Sequence, residues 1–75
     1  MQNDITTYER SRSDWETLID EWTIGKNAER DRKMLKMSLL DGKTYEVIAE
    51  LLGMSPRQVA RIIPQRQAYL FKHIK

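Results

Sequence analysis

The chain has 75 residues, no cysteine, one histidine and a formal net charge of +2. That length holds one domain around one small core. The missing thiols exclude a disulfide framework and a thiolate zinc site, and one histidine excludes a histidine metal cluster. No apolar run approaches the roughly 18 residues of a membrane span, and Met1–Tyr8 lacks the basic and apolar regions of a signal peptide, so the expectation is a cytoplasmic protein with no membrane partner.

The small net charge hides an asymmetry. Residues 1–27 carry six acids and three bases, whereas residues 28–75 carry five acids and ten bases. From Ser55 onward stand Arg57, Arg61, Arg66, Lys72 and Lys75, and no acid. Such a division points to a polyanion partner for the basic part, with a solvated basic helix as the plain alternative.

Residues 1–12 are polar, with Ile5 and Tyr8 scattered among them, and read as frayed or irregular. An acidic amphipathic helix is expected over 13–26. Ser13 and Glu16 spell a capping box, and Trp15, Leu18, Ile19 and Trp22 fall at i, i+3, i+4 and i+7 on one apolar stripe. Gly25 supplies a left-handed stop. Two tryptophans on one stripe exceed what a small core needs. That makes Trp15, Leu18, Ile19 and Trp22 the candidate face for a homodimer or another protein.

A second helix is expected from the N-cap Asn27 to about Asp41. Met34, Leu35, Met37, Leu39 and Leu40 make a broad stripe that needs more than one neighbour, and the opening run from Glu29 to Lys33 reads as charged and exposed. Gly42 ends it. A third helix starts at the N-cap Thr44 and stops at Gly53, with Val47, Ile48, Leu51 and Leu52 facing inward. A fourth opens on Ser55 as N-cap and Pro56 at the first helical position, where a missing N–H costs nothing. Val59, Ile62 and Ile63 face the core. Pro64 removes a ladder bond and disfavours helix at Ile63, which predicts a break or kink there and a last helix over 65–74. No strand pattern occurs. The expected fold is all-α, a compact single-domain bundle of about five short helices over residues 1–75.

The unit from Thr44 to Ile63 has the makings of a helix-turn-helix. Ala49 lets the second helix cross closely, Gly53 tolerates positive φ in the turn, and Val59 and Ile62 face back into the core. Arg57, Gln58 and Arg61 then point outward, with side chains suited to guanine (Arg) and adenine (Gln) edges. The N-termini at Thr44 and Ser55 suit phosphate, and Arg66 joins the phosphate set from the acid-free segment.

The stretch Glu29 to Ile74, and above all LLDGKTYEVIAELLGMS, resembles region four of bacterial RNA-polymerase sigma factors. It is also similar to small phage transcription regulators of the late-gene activator type that reuse this module. The resemblance implies a bacterial or phage-encoded protein that binds double-stranded DNA with the second motif helix in the major groove, and RNA polymerase as a further partner. It implies Ser55, Arg57, Gln58 and Arg61 at bases and Lys43, Thr44 and Tyr45 at phosphates. Pro56 stands where sigma factors often carry a polar residue, which removes one contact. Pro64 interrupts a recognition helix that is usually continuous. Nothing in the chain resembles the promoter-melting region, so the expectation is a module rather than a complete sigma factor.

Catalysis is not expected. Asp20 and Glu21 are neighbours on a helix and point apart, so they make no acid/base pair, and no Ser/His/Asp set or glycine-rich phosphate loop is present. His73 reads as a surface residue near a helix end. No cofactor or metal is implied. Two other functions fit the same scaffold: an adaptor that binds RNA polymerase or a phage packaging component through the acidic helix, and the DNA-recognition part of a terminase small subunit.

Overall fold

The computed structural model describes residues 10–73, which form four helices and no strand. They are α1 (Arg12–Trp22), α2 (Ala28–Leu35), α3 (Tyr45–Leu52) and α4 (Pro56–His73), and α2 runs directly into a π-helical turn over Lys36–Leu40. Most of the irregular segment expected over 1–12 lies outside the described residues, as does Ile74.

The capping box of α1 sits two residues earlier than Ser13. Ser11 is the N-cap: its hydroxyl accepts from the Asp14 N–H at 3.1 Å, and the Asp14 carboxylate accepts from the Ser11 N–H at 3.3 Å. Both serines have an acid three positions on, so the local pattern fits either start. Starting at Ser11 places Arg12 on the helix. From there its guanidinium donates to Asp41 at 2.6 Å and to the Leu40 carbonyl at 3.4 Å, fastening α1 to the end of the π turn. At the other end α1 closes at Thr23, before Gly25.

In α2 the expectation of an exposed charged run is corrected. Asp31 is buried along with Met34 and Leu35. A buried carboxylate survives only when paired, and Asp31 accepts from Arg66 Nε at 2.8 Å and from Arg30 Nε at 3.1 Å. The wider turn after Leu35 is marked by the Asp41 N–H donating to the Lys36 carbonyl. It spreads Met37, Leu39 and Leu40 so that all three pack partly buried against the core.

Thr44 caps α3, accepting from the Val47 N–H at 3.2 Å. Ile48 and Ala49 are its buried residues, and Leu52 is half-buried. Val47 and Leu51, expected inside, are exposed, because the inward stripe of so short a helix is only wide enough for one residue per turn and its neighbour.

The expected break at Pro64 does not occur: α4 is one helix from Pro56 to His73. Pro64 and Ala60, whose carbonyl loses its usual amide partner, both lie on the exposed side, where water can serve that carbonyl. On the opposite side Val59, Ile63 and Leu70 are buried and hold the helix to the core on either side of the missing bond. Packing therefore outweighs the local penalty. The five-helix expectation becomes four for this reason. α4 is the spine of the bundle, touching α1, α2 and α3, and the core draws on all four helices through Ile19, Met34, Leu35, Ile48, Ala49, Val59, Ile63 and Leu70.

Candidate nucleic-acid interface

α3 and the start of α4 are joined by a tight turn. The Met54 N–H donates to the Ala49 carbonyl at 2.8 Å and the Gly53 N–H to the Glu50 carbonyl at 3.4 Å, the paired bonds of a Schellman motif. Gly53 has φ 68°, and a Cβ there would meet nothing within 4 Å, so the backbone angle rather than space calls for glycine. Ala49 is 1% exposed, which marks the close crossing of the two helices. Leu52, Met54 and Ile62 pack half-buried beside it, completing the apolar underside of a helix-turn-helix.

The upper side starts with the cap of α4. The Ser55 hydroxyl accepts from the Gln58 N–H at 3.2 Å, while Gln58 Oε1 accepts from the Ser55 N–H at 3.2 Å and from the Ser55 hydroxyl at 3.4 Å. This is a capping box with glutamine in the return position. Arg57 and Arg61 follow, one helical turn apart, so they share a face. Both are exposed, and neither has an ion-pair partner among the described residues. Lys43 and Thr44 are exposed in the segment before α3, and Tyr45 is half-buried at its first turn. The Lys43 N–H donates to the Met37 carbonyl at 3.0 Å, which fixes that corner relative to the π turn.

Three other cations are committed elsewhere. Lys36 pairs with Asp20 at 3.0 Å, and Arg12 with Asp41 and Glu16. Arg66 stands apart from the rest of the phosphate set. It bonds Asp31 and donates through Nη1 to the Ile24 carbonyl at 3.1 Å, so its guanidinium serves the fold, tying α4 to α2 and to the loop after α1. Nothing local in the acid-free segment distinguishes it from Arg61, because its partners are 35 and 42 positions away.

The acid nearest the Lys43 corner is restrained. The hydrogen bond from Arg12, with a smaller contribution from Lys43, holds the Asp41 carboxyl below its ordinary range, and the same bond raises Arg12. Residue Arg12 was missed as part of this region because it precedes the expected start of α1. Among the described residues no group of His, Cys, Asp and Glu could hold a metal ion, and no helix is long and apolar enough to cross a membrane.

The stripe that is the candidate partner face packs against the core, with Trp15, Leu18 and Trp22 half-buried. Ile19 is fully buried. Trp15 meets Phe71 edge-on with ring centroids 6.2 Å apart, and Trp22 stacks on His73 at 4.5 Å. His73 in turn bonds the Tyr69 carbonyl through Nδ1 at 2.8 Å. α4 reaches across this stripe and sets Phe71 and His73 against it.

No curated protein and no solved structure matches the chain. The family model of sigma-70, region 4, matches residues 28–63, which run from the start of α2 through the turn to Ile63. Over that segment, just under half of its length, the chain is similar to the sigma-70 region 4 family, a DNA-binding helix-turn-helix domain type.

Proposed function

We propose that the protein is a sequence-specific transcriptional regulator that binds double-stranded DNA with the first half of α4 in the major groove. The observation that carries this reading is the pair Arg57 and Arg61: exposed, one turn apart, without acidic partners among the described residues, on a helix with no acid in its length. Burying Val59 and Ile63 on the other side aims them outward. Arg57, Gln58 and Arg61 read bases, with Ser55 at the groove edge. Lys43, Thr44 and Tyr45 hold phosphates from the corner before α3, where the free N–H groups of a helix start add their dipole. This reading leaves Arg66 out of the contact, since its Nε and Nη1 are engaged by Asp31 and the Ile24 carbonyl. One motif reads about half a typical site, so two copies on a two-fold site belong to this reading, as does RNA polymerase as a protein partner in a bacterial or phage-infected cytoplasm.

Selection of bound duplexes from a random pool, followed by anisotropy titrations at several salt concentrations, tests it. Arg61→Ala is expected to cost about 1–3 kcal/mol on the selected site and relax preference at one base pair, whereas Lys43→Ala weakens all sequences alike and lowers the salt slope by about 1. Absence of duplex binding at low salt would refute the proposal.

A further inference from the structure

The reading head offers protons and almost no acceptors. Arg57 and Arg61 are donors only. Glutamine ordinarily offers both kinds and so pairs with adenine, accepting from N6–H and donating to N7. Here that pairing is closed off. The Ser55 N–H needs an acceptor, so the amide of Gln58 must turn its oxygen, not its nitrogen, toward the cap. Oε1 then receives both the Ser55 N–H at 3.2 Å and the Ser55 hydroxyl at 3.4 Å, which occupies its two lone pairs. The Ser55 proton is spent in the same box. What Gln58 has left is its NH2 group, two donors. No aspartate or glutamate occurs from Ser55 to the last residue to supply an acceptor.

We infer that the capping box converts Gln58 into a donor-only reader, and that α4 therefore selects a guanine-rich strand edge. Guanine presents two acceptors, N7 and O6, in the major groove; cytosine presents only a donor, and adenine offers one acceptor beside a donor that finds nothing to receive it. Three donor side chains within two turns, Arg57, Gln58 and Arg61, fit guanines on the strand they face, with thymine O4 the next best match. The inference rests on the proposed base-reading role of α4 and adds the class of base it reads.

The test is a paired selection with the full chain and its Gln58→Glu variant. Glutamate is also a capping-box residue, so the variant keeps the cap, and its melting temperature checks that it does. It replaces the two donors with a second carboxylate oxygen. The unaltered chain is expected to enrich guanines, and Gln58→Glu to change one position of the motif from guanine to cytosine, whose N4 amine needs an acceptor, by about tenfold or more. Gln58→Ala relaxes that same position. Adenine in the unaltered chain's motif at the position that responds to Gln58→Glu would overturn the donor-only assignment while leaving DNA reading intact. A motif unchanged by all substitutions at Gln58 would overturn it too. Failure to enrich any motif would bring down the proposed function itself, which separates the two outcomes.

Discussion

Removing Asp31 tests whether the bundle is held by the ion pair between α2 and α4. Breaking a fully buried pair costs about 3–5 kcal/mol because the surviving charge is left unpartnered in a low-dielectric site. The Asp31 side chain is 4% exposed, but those of Arg66 and Arg30 are 25% and 36% exposed, so water can partly solvate the stranded guanidinium groups. The expected loss for Asp31→Ala is therefore smaller, about 2–3 kcal/mol. A chain of this size holds a total stability of about 4–11 kcal/mol, and a domain of this length loses about 4–8 °C in Tm per kcal/mol. Thermal unfolding followed by far-ultraviolet circular dichroism should show a fall of about 10–20 °C. Arg66→Met strands the more deeply buried partner, leaves it Arg30 alone and costs at least as much. The double variant Asp31→Leu with Arg66→Met removes both charges and should recover most of the loss, as apolar replacements of buried pairs commonly do. A fall below about 4 °C for Asp31→Ala, or a double variant no better than the sum of the singles, would refute the reasoning. At temperatures where it remains folded, Arg66→Met should keep the salt slope of duplex binding unchanged. A reduced slope would return Arg66 to the phosphate contacts.

Three further outcomes follow from the fold. Pro64→Ala restores the missing N–H beneath an exposed surface and should raise stability by about 1–3 kcal/mol in the same melting assay, because the helix is already continuous there. Gly53→Ala should cost about 1–2 kcal/mol, all of it from the left-handed backbone since a Cβ meets no neighbour. Asp41 has a folded-state pKa depressed by Arg12. Its contribution is thus present above the ordinary carboxylate value of about 4 and is lost as pH falls through the lower folded value. Asp41→Asn should accordingly flatten the acid limb of a plot of Tm against pH below about 4 and leave its neutral arm nearly parallel.

What could be read from the residues alone was whatever is decided within one turn of helix. Thr44, Gly53 and Ser55 are correctly placed as caps and stop because each acts through bonds three to five positions away. The outward direction of Arg57, Gln58 and Arg61 follows likewise from Val59 and Ile62 facing the core. Ser11 and Ser13 compete on equal local terms, and a contact 29 positions distant, Arg12 to Asp41, goes with the earlier start. Pro64 misleads because its penalty is local while the packing that overrides it is not. Asp31 and Arg66 look like any exposed charges until the chain brings them together. The Trp15 to Trp22 stripe is legible as apolar, but what covers it depends on whether α4 continues.

The unbroken course of α4 also bears on the entropy of association. Its reading end is pinned by Val59 and Ile63, its middle by Arg66, and its far end by Leu70 and the rings over α1. A helix that had ended at Ile63 would be free to pivot about the turn, and a duplex would have to immobilise it on docking. Here the axis is already oriented in the unbound protein and Gln58 is already held by its cap. In the proposed mode of binding, docking then orders little beyond the long side chains of Arg57 and Arg61, at about 0.5–1.5 kcal/mol each. Most of the orientational freedom that DNA would otherwise have to remove is gone once the chain has folded.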